Sequence, residues 1–312
     1  MISVGHTNNR LVFFILMWYN DKIDKRKTRE LVKMTGNMND KKRFNCCGLI
    51  CPICGQELAQ SGGSLVCRSH HTYDIARQGY VNLLPVQQKH SLTPGDTPEM
   101  LAARRAFLNE GHYSPICRDV MAALEANGEI SSLMDVGCGE GYYTAEFLRR
   151  FPNARIIGAD ISKAAVRMAA SRTREISWIT ATASHLPAAD CSMDAITAMF
   201  SLVCEEEFAR ILRPGAVVVE VTAGTNHLIE LKRVIYDDVF EQHKRPKAPQ
   251  GFLKETGCQL KSFRMTLDNA QLRSLLMMTP HTLRVRPENR AKLEATESLD
   301  LTVEYFVRVL KK

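Results

Sequence analysis

No stretch of this 312-residue chain is long and apolar enough to cross a bilayer. The longest apolar run, Leu11 to Tyr19, has nine residues, against the ~20 that a helix needs to span a hydrocarbon core of roughly 30 Å. It also lacks the flanks of a signal peptide, because no basic region of weight precedes it and no small-residue cleavage site follows. A membrane partner is therefore not expected. An overall charge imbalance is missing too, once position is considered. The net charge is +7, yet residues 1–43 hold ten bases against four acids, which leaves 31 bases against 30 acids in the remainder. Bulk charge thus does not argue for nucleic acid, and any such surface has to come from local clustering. No internal repeat is visible. A disulfide framework is absent as well: Cys46, Cys47, Cys51, Cys54 and Cys67 crowd the front, while Cys117, Cys138, Cys191, Cys204 and Cys258 are scattered through α/β-like sequence. This distribution fits a reducing, cytoplasmic compartment and one metal site.

What is present is enough apolar sequence, 45% of the residues, for one large domain and a small one. Residues 1–45 read as an N-terminal extension, with Met34 and Met38 as alternative starts. Cys51-Pro52-Ile53-Cys54 follows, then twelve residues containing the turn Ser61-Gly62-Gly63-Ser64, then Cys67, and after three more residues His71. Two cysteine-bearing hairpin ends facing each other supply four ligands to a tetrahedral Zn²⁺. His71 is the favoured fourth ligand, although His70 adjoins it and Cys46 and Cys47 lie nearby. A closed set of three thiolates and one imidazole leaves no position for substrate. The ion is thus structural, and a module of some forty residues needs it to fold.

The rest of the chain is organised around Leu133 to Gly141, an apolar strand running into three alternating glycines and then the helical stretch Tyr142 to Arg150. Glycine tolerates positive φ and lets backbone amides approach a bound nucleoside. A second strand, Arg155 to Asp160, ends in an acid twenty-five residues after Asp135, where α/β folds grip a ribose diol. Asp135 and Glu140 beside the glycines would repel a diphosphate, so an uncharged or cationic ligand is expected. Asp135-Val-Gly137-Cys-Gly139-Glu140-Gly141 with Gly158-Ala-Asp160 resembles the class I S-adenosylmethionine-dependent methyltransferases. Their cofactor carries a sulfonium and no phosphate.

A closer resemblance joins the cysteine module to this turn. Gly79-Tyr-Val-Asn-Leu-Leu-Pro85, Pro94-Gly-Asp96, Ala103-Arg-Arg-Ala-Phe-Leu108 and Gly111-His-Tyr113 lead from it to Asp135-Val-Gly-Cys-Gly-Glu-Gly-Tyr-Tyr-Thr144. From about Cys51 to the C-terminus the chain is similar to the 23S ribosomal RNA (guanine-N1)-methyltransferase family. The resemblance implies a class I methyltransferase, Rossmann-like with a mainly parallel seven-stranded sheet, and a small zinc-ribbon-like domain. The expected divisions are an extension (1–45), a zinc-binding domain (46–85), a linker and helix (86–125) and the methyltransferase domain (126–312). S-adenosylmethionine is expected past Gly137, Gly139 and Gly141 beside Asp135, with Asp160 on its ribose, Glu140 and Tyr113 closing over it, and His227 as a further contact. The implied substrate is a guanine N1 of 23S ribosomal RNA, and relatives lead to the expectation of a dimer. Two neighbouring guanines are targets within the family.

The remaining chain alternates strand and helix, with a basic helix over Ser162 to Arg172 and strands at Ile176 to Thr180 and Ser192 to Phe200. A helix over Glu205 to Leu212 precedes a turn at Arg213-Pro214-Gly215 and a buried strand, Ala216 to Val221; a closing strand runs from Leu301 to Leu310. Ala181 to Pro187 is where such enzymes line the adenine. The N1 proton must be lost during transfer, and Asp194, His185, Glu205 and water all stay open as its acceptor. Relatives are expected to carry an aromatic-Ala-Pro segment where this chain has Phe200-Ser201-Leu202, which bears on the acceptor and not on the cofactor. Tyr73 and Tyr80 are available for base stacking or for the module's core. Two other classes fit the same residues: a methyltransferase of a small molecule or protein, and a zinc-bearing protein that binds S-adenosylmethionine without turnover.

Overall fold

The computed structural model describes residues 44–88, 95–239 and 245–312. All but the last two residues of the expected extension lie outside them, as do Pro94 and Lys244, the first residue of the basic run Lys244 to Lys247.

Strands β1 (Ala59–Ser61), β2 (Ser64–Val66) and β3 (Thr72–Asp74) form a small antiparallel sheet in the order β1-β2-β3. Its first hairpin closes with Ser61 opposite Ser64, and Gly62 takes the left-handed φ of +58° that this two-residue turn requires.

The large sheet contains β4 (Tyr80–Asn82), β5 (Ser132–Val136), β6 (Arg155–Asp160), β7 (Ser177–Thr180), β8 (Met193–Met199), β9 (Leu212–Ala223), β10 (Lys254–Asp268) and β11 (Ser298–Lys311). Their order is β10-β11-β9-β8-β5-β6-β7-β4. Only β11 runs against its neighbours. The seven strands expected for a class I methyltransferase are joined by an eighth, β4, whose Tyr80 pairs with Trp178. The stretch expected to close the zinc-binding part is thus the edge strand of the main sheet. Arg213-Pro214-Gly215 is not a separate turn but the exposed start of β9. There the register jumps from Met193 opposite Leu212 to Ala195 opposite Val217.

Side chains of the parallel strands alternate between two faces, both of them covered, which is why these strands read as continuous apolar runs. Tyr80, Ile156, Trp178, Val217 and Val219 belong to one buried cluster. Val81, Ile157, Ile179 and Val218 belong to the other, and there they meet Leu49, Leu58 and Leu65 of the cysteine-bearing part. Polar ties reinforce this packing: Arg155 donates to the Cys47 carbonyl (2.7 Å) and Ser177 to the Asn45 carbonyl (2.6 Å). Tyr80 is core, and Tyr73 turns its hydroxyl to Cys51, so neither is a free stacking platform.

The helices that matter for the site start where their sequence says they should. In α1 (Pro98–Asn109) the Thr97 hydroxyl accepts from the Met100 N–H and Pro98 opens the first turn. Then come α2 (Ser114–Glu125), α3 (Tyr142–Arg150) and α4 (Lys163–Ala169), the last capped by Ser162. After α5 (Glu205–Ile211) and α6 (Ile229–Ile235), α7 (Asn269–Met277) begins with an Asp268/Gln271 capping box and α8 (Pro287–Glu294) follows. Among the described residues no helix is long and apolar enough to cross a membrane.

Candidate cofactor site and metal centre

β5 delivers the chain to the C-terminal edge of the sheet, where ligands of open α/β folds bind. Gly137, Gly139 and Gly141 there have φ of +77°, +56° and +85°. A Cβ on Gly137 would stand 2.4 Å from Ser201 Cβ, and one on Gly141 2.7 Å from Trp178 Cη2 and 2.9 Å from Ala169 Cβ. Both positions exclude any side chain, for steric as well as torsional reasons.

The two aspartates near the turn do different work. Asp160 ends β6 and accepts from the Gly139 N–H (2.9 Å) and the Ser162 N–H (2.8 Å), while burial pushes its carboxyl above the ordinary range. Asp135 faces inward: its oxygens accept from the Thr144 and Thr197 hydroxyls (2.5 and 2.9 Å), and desolvation raises its pKa to about 6. It clamps β5 to β8 and α3 and does not line the cavity above the turn, where it was expected to meet the ligand.

That cavity measures about 50 Å³ and is bordered by Tyr113, Gly137, Gly139, Glu140, Phe200 and Arg104. Pockets that hold a small molecule run to roughly 300 Å³ and more, so the site is closed. Arg104 closes it by donating to Asp96 (2.7 Å) and to the carbonyl of Met278 (2.8 Å), which lies 174 residues away. Glu140 is buried beneath, with Oε2 on the Arg172 guanidinium, whose Nε also donates to the Glu140 carbonyl (2.9 Å). Among the described residues its Oε1 has no partner, and neither has the Tyr143 hydroxyl; both belong to residues bordering this cavity. A buried unpaired acceptor and a buried unpaired hydroxyl are costly unless a ligand meets them. The ammonium and carboxylate of an amino-acid ligand are suited to do so. The residues present therefore fit the methionine end of S-adenosylmethionine.

Tyr113, Phe200 and His227 come together in a triangle of rings. The ring centroids are 6.4 Å (Tyr113–Phe200), 5.7 Å (Phe200–His227) and 6.5 Å (Tyr113–His227) apart. His227 is oriented by the Glu304 carbonyl, 2.8 Å from Nδ1. Phe200 sits just past β8 with a φ of +53°, a strained backbone of the kind that gathers at functional sites. Arg104 and Tyr143 are not singled out as site residues by the sequence, and Phe200 is singled out only through the acceptor segment. The signals were an arginine inside Ala103 to Leu108 and an aromatic one residue beyond a strand end.

Two of the open proton acceptors are used elsewhere. Asp194 lies at the opposite strand ends, accepting from Ser132 (2.8 Å) and Arg213 (2.6 Å). Glu205 is buried and accepts from the backbone of Gln250 and of Leu253 (2.7 Å). His185 is exposed.

In the cysteine-bearing part, ligand atoms of Cys51, Cys54, Cys67 and His71 all lie within 4.8 Å of one another. Cys54 and Cys67 sulfurs are 3.6 Å apart, and the His71 Nδ1 is 3.4 and 3.5 Å from Cys51 and Cys67. Tetrahedral zinc with Zn–S bonds of about 2.3 Å separates its sulfurs by about 3.8 Å, so these donors fit that ion. Burial opposes ionisation of Cys51, but the Tyr73 hydroxyl and the Ile53 and Cys54 amides bring its pKa down to about 6. His70 turns outward in a left-handed conformation, and Cys46 and Cys47 stand outside the cluster.

Residues 49–92 match the family model described as RlmA, N-terminal, and residues 133–216 match one described as Methyltransferase domain. A 23S rRNA (guanine(748)-N(1))-methyltransferase of Streptomyces fradiae is 31% identical over 83% of this chain and 95% of its own. A protein of Micromonospora griseorubida named for a 23S rRNA (guanine-N1) methyl transfer is 31% identical over 84% of this chain and 96% of its own. YxjB of Bacillus subtilis, similarly named, is 28% identical over 83% and 95%.

Proposed function

Because the chain belongs to the 23S ribosomal RNA (guanine-N1)-methyltransferase family, we propose that it moves the methyl group of S-adenosylmethionine to N1 of a guanine in 23S ribosomal RNA. The observation that carries this reading is the turn at Gly137, Gly139 and Gly141, held by Asp160 and roofed by Tyr113, Phe200 and His227. When bound, the cofactor supplies a methyl on a positively charged sulfur, ready for in-line displacement. Every other contribution comes from the protein. Asp160 keeps two backbone amides in place and offers its remaining lone pairs to the ribose hydroxyls. Glu140 Oε1 receives the ammonium, and Arg104 and Tyr143 donate to the carboxylate. Tyr113, Phe200 and His227 exclude water above the turn and hold a planar base edge-on to it. Alignment of this kind accounts for a large part of the barrier reduction in a bimolecular displacement. A guanine paired in a helix has to leave its stack to reach this edge.

Cys51, Cys54, Cys67 and His71 bind a structural Zn²⁺, which sets the geometry of a module that contacts ribosomal RNA. In this reading residues 46–85 serve that module, 86–125 connect it, 126–312 carry the transfer and 1–45 precede them. The protein works in the cytoplasm as a dimer, a state that light scattering on the purified chain tests directly. The decisive experiment incubates the protein with methyl-labelled S-adenosylmethionine and a 23S hairpin fragment, then maps the modified nucleotide by mass spectrometry. Label on a guanine N1 is the expected outcome. Label that enters a small-molecule extract and spares the RNA overturns the substrate.

A further inference from the structure

A second cavity, about 710 Å³, opens beside the first. Asp160 stands between the two: one oxygen holds Gly139, which borders the closed cavity, and the other holds Ser162, which borders the open one. None of the three turn glycines and no residue of the loop from Ala181 to Leu186 lines it. It is framed instead by β4, the end of β7 and the exposed face of α4. Its volume is that of a small-molecule site.

The walls divide by chemistry. Thr180 is 1% exposed, and its hydroxyl has no hydrogen-bond partner among the described residues. Gln78 and Asn82 bring side-chain amides, and Leu84 and Ile161 bring apolar surface. At the mouth Lys163 and Arg167, four residues apart on α4, are both exposed. Neither makes an ion pair with a described residue. The acid on this wall, Asp96, is held by Arg104 at 2.7 Å. An unpaired buried hydroxyl asks for a hydrogen-bonding occupant, the amides and apolar walls suit the edge and face of a base, and two unpaired cations suit a phosphate.

We propose that this cavity takes one phosphate-bearing nucleotide of the RNA substrate, a neighbour of the guanine presented at the glycine turn. The proposal rests on the RNA reading above and extends it to a second contact. Lys163 and Arg167 hold the backbone phosphate, and Thr180, Asn82 and Gln78 meet the polar edge of the base.

The test measures anisotropy of a labelled 23S hairpin fragment with the full chain, as wild type, as Lys163→Ala/Arg167→Ala and as Thr180→Val, across a salt series. The double variant is expected to bind about tenfold more weakly, with a log–log salt slope shallower by roughly 2, one for each phosphate-facing cation. Thr180→Val is expected to lose about threefold to tenfold in affinity with an unchanged slope. Calorimetric affinity for S-adenosylmethionine and the melting temperature should match wild type in both variants. RNA affinity and slope equal to wild type overturn the proposal. A parallel loss of cofactor affinity overturns it as well, because the cavity would then belong to the cofactor. A wild-type protein without RNA affinity removes the RNA-substrate reading and this site together. One that binds RNA as described but does not methylate it removes only the transfer.

Discussion

The cysteine cluster and the glycine turn both suit a ligand, but they are built in opposite ways. Cys51, Cys54, Cys67 and His71 fall within 21 residues of sequence and converge through local turns, with the Gly55 N–H on the Cys51 carbonyl (2.8 Å) and the His70 N–H on the Cys67 carbonyl (2.9 Å). At the glycine turn the shape comes from backbone, and the side chains above it arrive from residues 104 to 278. A site made of side chains at fixed spacing depends on one ion. A site made of backbone shape depends on what the rest of the fold leaves open.

That contrast is broken most severely at the metal. Cys51→Ser, or removal of zinc by a chelator, should unfold the cysteine-bearing part and take the large sheet's stability with it, because Leu49, Leu58 and Leu65 share a core with Ile157 and Ile179. Elemental analysis should find about one zinc per chain in the wild type, and thermal melting should fall with its loss. A zinc-free protein that melts like the wild type would show the sheet to be independent of the ion.

At the backbone-built site, Gly137→Ala should lower kcat/KM by about a hundredfold or more while the chain stays folded. The added methyl collides with Ser201, and the left-handed φ adds about 1–2 kcal/mol of its own. Ser201→Gly in the same chain should recover part of that loss, which a double-mutant cycle reads out. Additive effects would mean that the φ, and not the contact, excludes alanine.

Asp160→Asn should weaken S-adenosylmethionine binding about tenfold by calorimetry, since a hydrogen bond to a charged group contributes roughly 1.5–3 kcal/mol. An unchanged affinity would make Asp160 a brace for Gly139 and Ser162 alone.

A further effect, on stability and not on binding, concerns Asp135, whose carboxyl is raised by burial to about 6. A raised carboxyl stabilises the fold fully below its unfolded value near 3.8 and loses that contribution as pH rises through about 6. Wild-type stability should therefore decline between about pH 4 and pH 7 by an amount on the order of 3 kcal/mol, seen as a falling melting temperature. Asp135→Asn, which cannot ionise, should flatten that part of the profile.

Much of the fold was legible in the residues. Strands β5 to β8 lie within a residue or so of their expected spans, because continuous apolar runs bounded by glycine, proline and charge have few other uses. The edge strand β4 was not legible: three residues inside a loop-like stretch carry no period, and only the partner strand β7 makes Tyr80 to Asn82 extended. Arg213-Pro214-Gly215 looked like a turn because proline and glycine there serve a register jump that looks the same in one dimension. The direction of the Asp135 side chain was not legible for a related reason. An acid beside a glycine turn is equally consistent with pointing at the ligand or into the sheet, and Thr144 and Thr197 decide which.

The sequence by itself determined the two ligand classes, since the spacing of thiols and imidazole and the positions of three glycines are local covalent facts. Tertiary structure alone decided which side chains surround them. Arg104 reaching Met278, Phe200 beside Tyr113 and His227, and the Thr180 hydroxyl in its cavity are products of packing between segments far apart in the chain. Whether such side chains meet is settled by how two apolar faces of one sheet are covered, and no local stretch of residues records it.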